Sequence, residues 1–156
     1  MRYALPILVV ALVIPAFFAL GQRGFAAFGR WQQALRLLLA LMLLGAAMEH
    51  LLHPDVFASI IPPVFPYPHQ LAILSGVFEA VGAIGLLLPA TTRAASLCLA
   101  LLMVAVFPAN IYVAGRTTGS LQMPVVPIRA AMQMIFMALI LLAGWGLPRM
   151  KKTKSA

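Results

Sequence analysis

The chain is predicted to be all-α, a transmembrane four-helix bundle with one additional N-terminal hydrophobic helix, and three observations predict it. Apolar residues make up 63% of the 156 and charged residues only 9%, where soluble domains carry about a quarter charged. The apolar residues form continuous runs rather than stripes of helical or strand period. The basic residues fall mostly between those runs, where topology signals lie. A bilayer gives the backbone no outside hydrogen-bond partner, so each run must satisfy its own groups, and long Leu/Ala runs do that as helices. A span takes about 20 residues at roughly 1.5 Å each, so the length accommodates four or five spans and no sizeable extramembrane domain.

The runs are Ala4–Leu20, Ala34–Leu52, Leu71–Leu88, Ala94–Val113 and Ala130–Leu147. The first is short, contains Pro6 and Pro15, and begins the chain as a signal peptide does. Charge argues for its retention. If all five span, one side receives Arg23, Arg30, Arg36, Arg93, Arg149, Lys151, Lys152 and Lys154, and the other Arg2, Arg116 and Arg129. The richer side belongs in the cytoplasm, and cleavage after the first run would export Arg23 to Arg36 against that rule. The expected arrangement is a multi-pass inner-membrane protein with a cytoplasmic C-terminus and a periplasmic loop from Pro54 to Pro68. The corresponding divisions are an N-terminal segment and basic loop over 1–33, a four-helix core over 34–147 and a basic tail over 148–156.

That loop holds five prolines, Pro54, Pro62, Pro63, Pro66 and Pro68. Its apolar residues, among them Val56, Phe57, Ile60, Ile61 and Phe65, fit a short amphipathic turn followed by an extended piece, forming a lid at the interface. The second outer connection, 114–129, is similar in character, with Pro124 and Pro127.

Composition excludes several functions. The net charge of +8 is distributed as topology signals rather than as a phosphate-binding patch, so no nucleic-acid partner is expected. Cys98 is the sole cysteine, which removes an internal disulfide or a CxxC pair. Met132, Met134 and Met137 do not gather on one face with His50, so they read as core filler, and no metal site is expected.

Polar residues inside the membrane are costly unless paired or used, and they define the candidate site. Glu79 comes about nine residues after the expected start of its helix, roughly 13 Å deep and near the midplane. Ser75 lies one turn outward on the same face; Gly76, Gly82 and Ala83 let another helix approach there, so this face should look into the bundle. Glu49, His50, Asn110, Arg129 and Gln133 come at the outer ends of their helices. The distribution predicts an outward-opening polar pocket, with Glu79 at its floor and His50, Asn110, Gln133 and Arg129 around its mouth. Pro108 should free the carbonyl of Val104 for another donor. Bland readings compete: Asn110 and Gln133 as interhelical hydrogen-bond glue, Arg129 as an interface anchor, His53 and His69 as interfacial residues. One acid, one imidazole and some amides in an apolar cavity can bind and protonate a small apolar molecule with a polar head, but they identify no reaction.

The runs GAAMEHLLHPDVFASIIPPVFPYP, SGVFEAVGAIGLLLP, VFPANIYVA and PIRAAMQ resemble the DoxX-like group of small bacterial membrane proteins over about residues 34–147. The matched positions are His50, Pro54, Pro62, Pro63, Ser75, Gly76, Glu79, Pro89, Pro108, Asn110, Arg129 and Gln133. The resemblance implies a DoxX-type four-helix core with both ends cytoplasmic, with the first run as an addition to it. It also implies an association with membrane oxidoreductase assemblies, including thiosulfate:quinone oxidoreductase. The expected function is therefore an integral membrane subunit of a quinone-linked oxidoreductase system. Glu79 and His50 would be catalytic, Glu79 relaying protons; Ser75, Asn110, Arg129 and Gln133 would bind the ligand, a quinone head group. Electrons would come from a redox partner subunit, with the lipid bilayer and a homo-oligomer as further partners. The alternative is a non-catalytic binder, carrier or assembly protein for a lipid or another apolar ligand.

Overall fold

The computed structural model describes residues 31–118, 121–122 and 124–145. The expected helix Ala4–Leu20 and the tail 148–156 lie outside the described residues. Four long helices carry the fold: α1 (Trp31–Leu52), α3 (Pro68–Leu87), α4 (Thr92–Val113) and α5 (Val126–Trp145), with a short α2 (Pro54–Ala58) between the first two. All four are long and apolar enough to cross a membrane, and the chain is a multi-pass membrane protein by that measure.

The helix boundaries follow local chemistry. Trp31, Gln32 and Gln33 precede the apolar run, but none breaks a helix, and all three belong to α1. Pro68 opens α3, because proline's fixed φ suits the first turn and its missing N–H is not needed there. At the other end Leu88 is extended (φ −87°, ψ 120°), as a residue preceding a proline tends to be, and Pro89 stops the helix. Pro127 likewise sits in the first turn of α5, four residues earlier than the apolar run alone indicates.

Each long helix packs on the next in sequence, and α5 returns against α1, closing an up-down-up-down ring. The N-terminus of α1, the α3–α4 turn and the end of α5 share one end, where Arg36 Nε donates to Ala143 O at 2.8 Å. The end of α1, the start of α3, the end of α4 and the start of α5 share the other. The dry core lies toward the Arg36 end and includes Leu39, Leu43, Ala83, Leu86, Leu99 and Ile140. Within it the buried Ser96 Oγ donates to Ile140 O at 2.7 Å. The outward faces carry Leu41, Val81, Ile84, Leu101, Met134 and Ile135, an apolar surface suited to lipid. Met132 and Met134 are 47% and 64% exposed, so these two are not core filler; they lie on the outward side of α5.

The lid departs from expectation in its second half. After α2, Ile60 and Ile61 N–H donate to Phe57 O and Ala58 O, and Phe65 N–H to Pro62 O. Closely spaced prolines thus give a run of turns rather than an extended piece. Tyr67, between Pro66 and Pro68, takes the left-handed conformation (φ 55°) that redirects the chain into α3. The 114–129 connection forms a small hairpin, with Thr117–Thr118 antiparallel to Leu121–Gln122. Gly115 N–H closes it on Pro124 O at 3.0 Å.

Candidate functional site

Three polar groups stand apart from the dry core, two in the far half of the bundle and one near its middle. The first joins α1 to α3. His50 Nδ1 lies 3.0 Å from Ala72 O and 2.9 Å from Ser75 Oγ, and Ser75 Oγ donates to Ala72 O at 2.8 Å. A carbonyl oxygen carries no proton, so a hydrogen bond between Ala72 O and the imidazole requires the proton on Nδ1. The neutral ring then presents Nε2 as an acceptor, and Nε2 has no hydrogen-bond partner among the described residues. Phe57 of α2 stacks on the imidazole with centroids 3.7 Å apart and planes 28° from parallel. Pro54 makes this contact possible: it ends α1 just after His50 and folds the chain back over it.

The second group joins α4 to α5. Asn110 Nδ2 donates to Gln133 Oε1 at 2.7 Å. Arg129 Nε donates to Asn110 O at 3.1 Å and its Nη2 to Asn110 Oδ1, while Gln133 Nε2 donates to Met103 O. The donor expected at Val104 O instead meets the preceding carbonyl. Met103 is 7% exposed and Val104 59% exposed, so the donor from α5 meets the carbonyl of the inward residue.

The third is Glu79 alone. It is 6% exposed and lies eleven residues along α3 from Pro68, roughly 16 Å by helix rise. Its Oε2 is buried with no hydrogen-bond partner among the described residues. The small residues expected around it, Gly76, Gly82 and Ala83, are buried on the same face, and so is Ala72. Gly76 is the tightest of these against α1: a Cβ there would lie 2.7 Å from His50 Cβ and 3.2 Å from Ala47 O.

Above these groups a cavity of about 330 Å³ opens between the lid, α3 and α4. Its walls include Phe57, Ile61, Phe65, Phe78, Leu102 and Val106, and among the described residues His50 and Ser75 are its only polar side chains. The expected residues therefore divide. His50 and Ser75 line the cavity; Asn110, Arg129 and Gln133 are bonded to one another beside it; Glu79 lies one turn below Ser75 on α3. Sequence reading singled out the imidazole and the hydroxyl but missed the Phe57 stack and the Ala72 carbonyl that fixes the ring. Phe57 was legible as an apolar lid residue, but backbone acceptors leave no trace in residue identity. Among the described residues no three His, Cys, Asp or Glu side chains gather to hold a metal ion.

A family model described as a domain of unknown function (DUF8561) matches residues 39–145, from within α1 to the last residue of α5. No curated protein and no solved structure matches the chain.

Proposed function

We propose a ligand-binding role for this chain, which belongs to the DUF8561 family: it takes a hydroxyl-bearing apolar head group, of the quinol type, into the cavity under the lid. The observation that carries the reading is the fixed imidazole. With Nδ1 held by Ala72 O and Ser75, Nε2 accepts a proton-bearing group and meets no competitor among the described residues. The remaining apolar lining matches a substituted ring, and cavities of roughly 300–1,000 Å³ are the usual size for such ligands.

The resemblance to the DoxX-like group extends the proposal. On that reading the bundle is a DoxX-type core with an additional N-terminal helix. It serves as the inner-membrane subunit of a quinone-linked oxidoreductase system, with its C-terminus cytoplasmic and the Pro54–Pro68 lid periplasmic. A quinol supplies two protons and two electrons, and the electrons pass to a redox partner subunit. His50 Nε2 receives the first hydroxyl proton, Ser75 holds the ring through Nδ1, and Glu79, one turn deeper, takes up the second. Asn110, Arg129 and Gln133 brace the α4 wall of the cavity. Assembly as a homo-oligomer belongs to the same proposal.

A second reading, a non-catalytic carrier, binder or assembly protein for a lipid alcohol or another apolar ligand, uses the same cavity. Its nearly all-carbon lining favours it, because retention there needs only one hydrogen bond. Solvent extraction of protein purified in mild detergent, with quinones and lipids quantified by mass spectrometry, separates the two. The quinol reading expects near-stoichiometric quinone in wild type and roughly tenfold less in His50→Ala, the loss of one hydrogen bond in an apolar site. A lipid alcohol in place of quinone supports the carrier. No ligand in wild type, with variants differing only in melting temperature, removes both.

A further inference from the structure

A second cavity lies at the opposite end of the bundle, about 530 Å³ in volume and bounded by α1, the α3–α4 turn and the end of α5. Its lining is mainly polar and includes Gln32, Arg36, Thr92, Arg93 and Trp145. Arg36 is half-buried and committed through Nε alone, to Ala143 O at 2.8 Å. Neither its Nη groups nor the Arg93 guanidinium has a hydrogen-bond partner among the described residues.

No carboxylate side chain is at hand to pair with them. The chain has three acids, Glu49, Asp55 and Glu79. The first two lie at the His50 end, and the third lies deep within α3. Two guanidinium groups therefore line one cavity without a counter-charge among the described residues, at a helix-bundle end where apolar flanks give way to polar groups. Arginine presents a planar fork of donors that matches phosphate oxygens in pairs. Basic pockets between membrane helices are suited to phosphate-bearing lipid head groups, and Trp145 is the kind of side chain that lies at head-group level.

We propose that the cavity between Arg36 and Arg93 is a binding site for the head group of an anionic phospholipid, whose phosphate the two guanidinium groups share. Gln32 supplies a polar contact at its rim, whereas the buried Thr92 hydroxyl is committed to Leu88 O at 2.8 Å; the acyl chains lie along the exposed apolar flank of α4. The proposal is independent of the ligand under the lid.

Trp145 serves as the reporter. The chain's other tryptophan is Trp31, so Trp31→Phe leaves Trp145 as the only indole. The full chain in phosphatidylcholine vesicles is titrated with dibrominated phosphatidylglycerol, or separately with dibrominated phosphatidylcholine, and bromine quenching of Trp145 is followed. The expected result is a roughly tenfold or greater preference for phosphatidylglycerol, about the gain of two basic contacts near a membrane surface. Adding Arg93→Gln should reduce that preference to about threefold or less. Arg93 is exposed, so this variant tests the site without disturbing the Arg36 to Ala143 bond. Equal quenching by both lipids, or an Arg93→Gln protein with an unchanged preference, overturns the proposal. Displacement of phosphatidylglycerol by millimolar inorganic phosphate would show a free-anion site and overturns the lipid assignment.

Discussion

Glu79→Leu is expected to unfold at a higher denaturant concentration than wild type, a gain of about 1–3 kcal/mol. That range is the cost of a buried polar group left without a hydrogen bond. Oε2 of Glu79 is such a group, on a residue 6% exposed among helices that are otherwise closely packed there. Leucine fills a similar volume, removes the orphan oxygen and favours the helix. Glu79→Gln keeps a polar amide in the same place and should gain less. A group that costs stability where a hydrocarbon would not is a candidate for function; the gain in Glu79→Leu should therefore accompany loss of proton transfer. Equilibrium unfolding in mixed detergent micelles measures it. A Glu79→Leu protein less stable than wild type by 1 kcal/mol or more would mean that the carboxyl anchors a structural network, and its proposed relay role would fall.

Gly76→Leu acts in the opposite direction and should be the most damaging single change in the site, costing about 3 kcal/mol, the upper range for overpacking. The position where α3 touches α1 has no room even for a methyl group, given the 2.7 Å that would separate a Cβ from His50 Cβ. The backbone of α1 limits retreat on the other side, since Ala47 O would stand 3.2 Å away. The helices must then separate, and that movement breaks the bonds from His50 to Ala72 O and Ser75. The variant should therefore melt lower and also lose whatever the lid cavity retains. By contrast, Gly45 has nothing within 4 Å of the corresponding point, so Gly45→Ala serves as the control and should leave both stability and binding near wild type. Equal losses in the two variants would show that generic helix effects, rather than the His50 contact, set the cost.

How much of this was legible in the sequence depended on the kind of information each feature requires. The four spans were, because a bilayer demands self-satisfied backbone over a fixed length, and Leu/Ala runs meet that demand directly. Their ends were less so: the helices with Pro68 and Pro127 in their first turns begin three and four residues before the apolar runs, and hydropathy does not register a proline's value in a first turn. The inward turn of the Glu79 face followed from the small residues beside it. What residue identity could not supply was the division of the polar set. Asn110, Gln133 and Arg129 are complementary to one another, and their engagement with each other and with Met103 O depends on the approach of α4 and α5. The cavity likewise depends on the fold of the lid, where Pro54 turns the chain back so that Phe57 lies on His50.

The most direct test of the central claim, that His50 Nε2 accepts a proton-bearing group on an apolar ring, is a pair of calorimetric titrations on delipidated wild-type protein. One uses a short-chain quinol kept reduced under anaerobic conditions, the other its dimethyl ether, which has the same ring but no hydroxyl proton. The quinol should bind, and the ether roughly tenfold more weakly, the equivalent of one hydrogen bond. That difference should vanish in His50→Ala. Equal affinity for quinol and ether in the wild-type protein would rule out a hydrogen bond to Nε2 and leave the cavity as a purely apolar receptacle.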